Sequence, residues 1–331
     1  MTTKQLSLDG VSKPKFMFNP NLKTESARIE AQAKFIVERH RIFLKKQAGL
    51  PKPWTKDPVL RTSKFTNVYR EIDPVSVWIW ENVIKPNEKN PNLPVLVGLA
   101  RLINWPDTIR YLMECDVWPE KKFKHEKFYR ALSKYKEDGY KVVTGAYIVN
   151  TVYPKGFDVR DPSKVGYISD VAAVDLWKNR EMLYEAGRKG GTVAGFVEAL
   201  QSLHGWGAFM SYQVVVDLTY SKLWLKTASD YNTFTSPGPG TTKGMNWILT
   251  GNLNAEIRGD KLNEPMQRIR PLVNECVRSL VKKSEWTGDF FTGFAEISMS
   301  NYSNCCCETS KMVRSIMDGG TERMKNKYNG G

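Results

Sequence analysis

The chain has 331 residues, 41% of them hydrophobic, which is enough apolar material for one sizeable domain or two small ones. Forty-nine Lys and Arg against thirty-five Asp and Glu leave a formal charge of +14, an excess that suits a polyanionic partner such as nucleic acid as well as a generally basic soluble protein. No stretch reaches the roughly 18 apolar residues that span a bilayer, and the N-terminus has no apolar signal core, so no membrane partner and a cytosolic location are expected. Five cysteines, three of them adjacent at Cys305, Cys306 and Cys307, show neither zinc spacing nor a disulfide framework, and the three histidines are scattered. Reduced thiols, no metal and no cofactor are therefore expected.

In chain order, residues 1–23 mix Lys, Pro, Asn and Ser without periodicity and read as a basic flexible tail. Over 24–46 the apolar residues Ile29, Phe35, Ile36, Ile42 and Phe43 fall at helical spacing, with Arg28, Lys34, Arg39, Arg41 and Lys45 on the other sides. "GLPKPWTKDP" then forces an extended connection, so 24–58 reads as an amphipathic helix with a Pro-rich connector. Residues 59–320 read as the helical catalytic domain. Helices are expected near 74–85, 94–104, 106–115, 125–138, 169–187, 192–203, 208–226, 242–249, 262–283 and 308–318. "YKVVTGAYIV" (140–149) fits a short strand or a buried helix. With no βαβ alternation and no repeat, the fold class is mainly α. Residues 321–331 read as a second flexible basic tail.

The stretch "LHGWGAFMSYQVVVDL" places two glycines around a tryptophan and then enters an apolar helix. A hairpin at 203–208 between two helices explains it: glycine accepts positive φ and lets main chain approach a ligand. The amides of Gly205, Trp206, Gly207 and Ala208 then form a candidate DNA-phosphate contact that reads no sequence. An ordinary turn between helices would use the same glycines. Asp230 follows in "SDYNTFTSPGPG", and hairpin plus Asp over 192–240 resembles the helix-hairpin-helix DNA glycosylases. That resemblance implies a DNA glycosylase-like helical fold with Asp230 as the catalytic carboxylate. Lyase-type members carry a nucleophilic Lys two positions after the hairpin glycine, where this chain has Phe209, so Schiff-base strand cleavage is not expected there.

"SPGPGTTKG" delivers Thr241, Thr242 and Lys243 to a helix start, a donor set for phosphate or pyrophosphate and equally a rigid turn. No Walker A loop can be written in the sequence, which disfavours a P-loop kinase. "RTSKFTNVYREID" gathers Asn67, Tyr69, Arg70, Glu71 and Asp73; if helical, Asn67, Arg70 and Glu71 share one face. Such a cluster also fits a solvated face.

In order, "ERH" (38–40), "PWTKD" (53–57), "FTNVYRE" with Asp73, "PGPG" (237–240) and the Cys307, Glu308, Lys311 pattern resemble the alpha-glutamyl/putrescinyl thymine pyrophosphorylase family. This family includes the bacteriophage amino acid:DNA transferases and the helical domain of 5-hydroxymethyluracil DNA kinases. The resemblance implies thymine hypermodification: an amine from an amino acid or polyamine replaces the pyrophosphate of pyrophosphorylated 5-hydroxymethyluracil in double-stranded DNA, with the modified pyrimidine flipped out. The implied roles are Asp230 or Glu71 as base, Arg70, Lys243 and Lys311 on the leaving group, Thr241 and Thr242 beside them, and Asn67, Tyr69, Asp73, Tyr231 and Glu308 around the substrate. Trp54, Tyr69, Trp206 and Tyr231 are candidates for stacking, and Arg101 is a further candidate for the donor pocket. The alternatives are a monofunctional DNA glycosylase for a modified pyrimidine and a non-catalytic DNA-binding protein.

Overall fold

Thr24 opens α1 (Glu25–Gln47): its hydroxyl accepts the Ala27 amide at 3.2 Å, with Glu25 in the first turn and Lys45 and Lys46 in the last, charges that suit the helix dipole. The computed structural model describes residues 17–145, 149, 151–281 and 296–318. The tail expected at 321–331, and residues 1–16 of the one expected at 1–23, lie outside the described residues. The connector leads to α2 (Pro58–Thr62), capped by Asp57, and the chain then runs extended to a 3-10 turn at Arg70–Ile72. Asp73 caps α3 (Pro74–Ile79), which continues into a π-helical turn at Trp80–Ile84. Next come α4 (Leu93–Ile103), α5 (Pro106–Glu114) and α6 (His125–Glu137). A short α7 (Lys164–Gly166) passes through a π-helical turn (Tyr167–Ala172) into α8 (Ala173–Lys178), followed by α9 (Arg180–Gly187), α10 (Val193–Gln201) and α11 (Ala208–Leu218). The chain closes with α12 (Pro239–Thr250), α13 (Asn263–Leu280) and α14 (Met299–Met317). No strand occurs among the described residues, and the fold is mainly α.

These helices build two hydrophobic cores. One is formed by α3 to α11, with Ile79, Leu96, Phe128, Leu176, Phe196 and Val215 fully buried. The other joins α1 to α12, α13 and α14 through Phe35, Ile36, Met245, Trp247, Ile269, Tyr302 and Val313. The chain passes from the second core to the first after Ile72 and returns between Leu225 and Met245. Arg28 and Arg39, expected on the polar side of α1, are buried in the second core. Arg28 donates to the carbonyls of Ile248 (2.8 Å), Leu249 (3.0 Å) and Leu22 (2.9 Å), and Arg39 to those of Thr66 and Asn67. Main-chain carbonyls left at helix ends and turns accept these guanidinium donors, which is how the charge is tolerated inside.

Several expected elements differ. Residues 61–73 are not one helix: between the end of α2 at Thr62 and the 3-10 turn at Arg70 the chain is extended, the Thr66 amide donates to Glu308 (3.1 Å) and the Arg70 amide to Asn301 (2.9 Å), so tertiary partners replace the helical ladder. The helix expected over 169–187 is a π-helical turn and two short helices that part at Asn179. The last helix begins at Met299, capped by Ser298, rather than at 308. Tyr140–Gly145 and Val149 are neither strand nor helix, and Thr108 of α5 donates to the carbonyls of Lys141 (3.0 Å) and Val142 (2.9 Å). Residues 146–148 and 150 lie outside the described residues. Arg101 is no pocket residue: it grips the fully buried Asp217 with two bonds of 2.5 and 2.7 Å, tying α4 to α11.

The glycines of "PGPGTTKG" have a packing role. α12 and α14 pack so closely that a Cβ at Gly244 would strike the Cys306 carbonyl and one at Gly240 the Cys307 sulfur. Thr241 is buried in the same seam, its hydroxyl 3.0 Å from the Ser303 carbonyl. The three adjacent cysteines are therefore packed thiols; burial pushes Cys305 and Cys306 up and Cys307 up to about 11.

Candidate functional site

Both crossings between the cores are pinned to the first turn of α14. From the first crossing, the Arg70 amide donates to the Asn301 Oδ1 at 2.9 Å, while the Asn301 Nδ2 donates to both Glu71 carboxylate oxygens, at 3.2 and 3.0 Å. From the second, the Asn232 Oδ1 accepts the Met299 amide at 3.3 Å. Asn301 is buried, and its neutral amide orients Glu71 through both carboxylate oxygens.

Tyr212 of α11 faces this junction. Burial pushes its phenol up to about 12; the Thr235 hydroxyl and the Arg70 charge ease the shift, and Tyr231 and Asp230 add to it. Burial also pushes up the phenol of Tyr220, just past α11, which feels Asp217, Glu71, Arg70 and Arg101. Arg70 thus lies within electrostatic reach of both phenols. Lys226 lies over the Tyr231 ring at 5.1 Å.

Asp230 is half-buried, and its two oxygens accept the amides of Val193 (2.7 Å) and Ala194 (2.9 Å), the first residues of α10. The sequence placed this carboxylate in acid/base work; in the structure both oxygens serve as a helix cap. At the other end of α10 lies the two-glycine turn. Gly205 has φ +79, and a Cβ there would collide with the Tyr167 hydroxyl. The main chain at Gly205, Gly207 and Ala208 is exposed, while Trp206 points inward beside Gly98 in the first core. The turn and Asp230 are separated by the nine residues of α10, about 13 Å. α11 and α12 both start without a side-chain cap, at Gly207 and Gly238, and the Phe209 ring would meet a Cβ on Gly238 at 3.2 Å. Two helix N-termini without side-chain caps therefore sit side by side, and a helix N-terminus favours anions.

The remaining expected residues divide. Lys243, half-buried in α12, has no hydrogen-bond or ion-pair partner among the described residues, and Thr242 is half-buried beside Gly259. Asn67 braces the 3-10 turn through the Ile72 carbonyl (3.1 Å), and Asp73 caps α3 at the amides of Val75 (3.2 Å) and Ser76 (3.3 Å). Tyr69 is 1% exposed and packs edge-on against His40, so its ring offers no face to a base. Trp206, buried, is a core residue for the same reason, and Trp54 donates to the Leu50 carbonyl beside Lys52. Glu308 and Lys311 lie seven and ten residues beyond Asn301 on α14, about 10 and 15 Å along the axis. Glu308 accepts the Thr66 amide; Lys311 reaches the Lys64 carbonyl under the Phe65 ring, and burial lowers its ammonium below the usual lysine range. Both therefore anchor the 64–66 segment rather than joining the junction. Two surface grooves, lined in part by Ile29, Leu272 and Cys276 and by Tyr111, Tyr135 and Tyr140, lie away from the cluster. Among the described residues no group of three or more His, Cys, Asp or Glu side chains could hold a metal ion.

Sequence reasoning missed Asn301, Asn232, Tyr212 and Tyr220. Ser298 followed by Met299, Tyr302, Cys305, Cys306, Thr309 and Met312 at helical spacing was the signal that would have started α14 early enough to expose Asn301.

The family described as 5-hmdU DNA kinase, helical domain, matches residues 26–320. A relative named 5-hmdU DNA kinase, from Bacillus phage SP10, is 25% identical over 289 residues, covering 83% of this chain and 43% of its own length. The chain thus spans less than half of that relative. No solved structure matches it.

Proposed function

Because the chain belongs to the family of the 5-hmdU DNA kinase helical domain, we propose that it is a phage-type DNA-modifying enzyme of thymine hypermodification. The reaction assigned to it is replacement of the pyrophosphate on pyrophosphorylated 5-hydroxymethyluracil in DNA by an amine from an amino acid or polyamine. No Walker-type loop can be written within residues 1–331, which favours the transfer step over phosphorylation for these residues.

The observation that carries this reading is Glu71, held through both oxygens by the buried Asn301 beside Arg70, where the two cores meet. In the proposed step the amine nitrogen bonds to the 5-methylene carbon, the carbon–oxygen bond to pyrophosphate breaks with its electron pair, and the nitrogen gives its proton to Glu71. Arg70, Lys243 and the uncapped amides of α11 and α12 receive the anionic leaving group and the DNA backbone. Asp230, with both oxygens on α10 amides, holds the second crossing. A glycosylase would need that carboxylate beside a sugar cation, and its engagement in the cap speaks against that use.

The test is nucleoside mass spectrometry after incubating the full chain with pyrophosphorylated DNA and a mixture of amines. An amine adduct on an intact strand with pyrophosphate release is expected. Glu71→Gln should cut the rate about 10²- to 10⁴-fold, the usual worth of a positioned base. Abasic sites in place of adducts would establish the glycosylase instead.

A further inference from the structure

We propose that the outer face of α6, with Lys121 and Lys122 just before it, is a second docking surface for the DNA sugar-phosphate backbone, an inference that rests on DNA as the substrate but not on the amine-transfer step. Residues 121–136 hold six Lys and one Arg against a single carboxylate, Glu126, an excess of six within a chain of formal charge +14. The helix is turned so that this excess faces outward. Phe128, Leu132 and Tyr135 are buried in the first core, while Lys127, Arg130 and Lys134, spaced at i, i+3 and i+7, are exposed along the opposite face.

Nearby acidic groups leave most of this charge uncompensated. Glu126 is taken by Arg160 at 2.7 Å, Asp138 by Lys134 at 3.0 Å and Asp116 by Lys124, and the Asp116 carboxylate also feels Lys127. The side chains of Lys121, Lys122, Lys127 and Arg130 are exposed and form no hydrogen bond or ion pair among the described residues. α6 also packs on the π-helical turn Tyr167–Ala172, where the Asp170 Oδ1 lies 2.7 Å from the His125 Nε2 and the Tyr167 hydroxyl abuts Gly205. One π-helical turn therefore links the basic face to the exposed main chain at Gly205, Gly207 and Ala208. Unpaired cations in a row complement a regularly charged polyanion, contacting its phosphates without reading sequence. Because the apolar side of α6 is already in the core, the helix has no face left to enter a lipid surface.

The experiment compares two full-chain variants of equal charge loss in anisotropy titrations of an unmodified duplex at several salt concentrations. One carries Lys121→Ala, Lys122→Ala, Lys127→Ala and Arg130→Ala; the other carries Lys23→Ala, Lys46→Ala, Lys56→Ala and Lys261→Ala, four exposed lysines elsewhere on the surface. Substitutions at such exposed positions leave the fold intact. Near physiological salt the α6 variant should bind at least about tenfold more weakly than wild type, its slope of log affinity against log salt shallower by about three to four, and the control variant should stay within about threefold. Equal losses in the two variants reduce the effect to net charge and overturn the proposal, as does an unchanged affinity in the α6 variant. A loss of binding to phosphatidylserine vesicles with duplex affinity unchanged assigns the face to a membrane and also overturns it. The expected pattern without amine transfer to pyrophosphorylated DNA removes the proposed reaction and leaves this surface standing.

Discussion

Asp230 illustrates how a residue's surroundings decide its chemistry. A carboxylate whose two oxygens each accept a helix-start amide is held in one orientation. Asp230→Ala should lower stability by about 0.5–2 kcal/mol, the usual cost of a lost cap, seen as a lower urea midpoint with an unchanged slope. An unchanged midpoint would mean that the cap contributes nothing. Arg70 and Glu71 were legible as candidates because opposite charges stood together in a short polar stretch. Asn301 was not, because its relevance comes from a contact with Glu71 across 230 residues of chain.

Among the elements, α12 and α14 hold the second core by close approach. At Gly244 the obstruction to a side chain is the Cys306 main chain; at Gly240 it is the Cys307 sulfur, which can rotate away. Gly244→Ala should therefore cost about 1–3 kcal/mol or more, as overpacking does, and Gly240→Ala distinctly less. Thermal unfolding of the two variants reads the difference, and equal losses would contradict this packing. The helix starts that bear on the site were partly legible: the glycines at 205 and 207 correctly signalled a turn between two helices. The start of α14 was obscured because Ser, Asn and Cys are poor helix formers, and 61–73 looked helical because its bonds to α14 cannot be seen locally.

For the whole molecule, the cores and the net charge make separate predictions. Burial, helped by the Arg39 charge, holds His40 down to about 4, whereas an unfolded histidine titrates near about 6.5. The folded state therefore keeps the ring neutral while the unfolded chain takes up a proton. This contribution to stability is complete above about pH 6.5 and is lost as the pH falls toward 4, by up to about 3 kcal/mol. Urea unfolding across this range should show the slope, and His40→Phe should flatten it; an equal slope in the variant would assign it elsewhere. A net charge of +14 predicts salt-sensitive DNA binding, with log affinity falling by about 0.9 per phosphate contact for each tenfold rise in salt. Titrations at several salt concentrations test this, and a flat response would exclude a phosphate-based interface.

The sequence by itself determined the helical class, the basic surface, the glycine turn between two helices and the short motifs on which the family resemblance rests. These are local quantities, set by periodicity, composition and the backbone freedom of single residues. Only the tertiary structure decided that α1 completes the core built by α12 to α14, that Arg101 belongs to Asp217, and that Glu71 meets Asn301 where both crossings converge. Those outcomes depend on which distant side chains satisfy one another once water is excluded, and no local pattern carries that information.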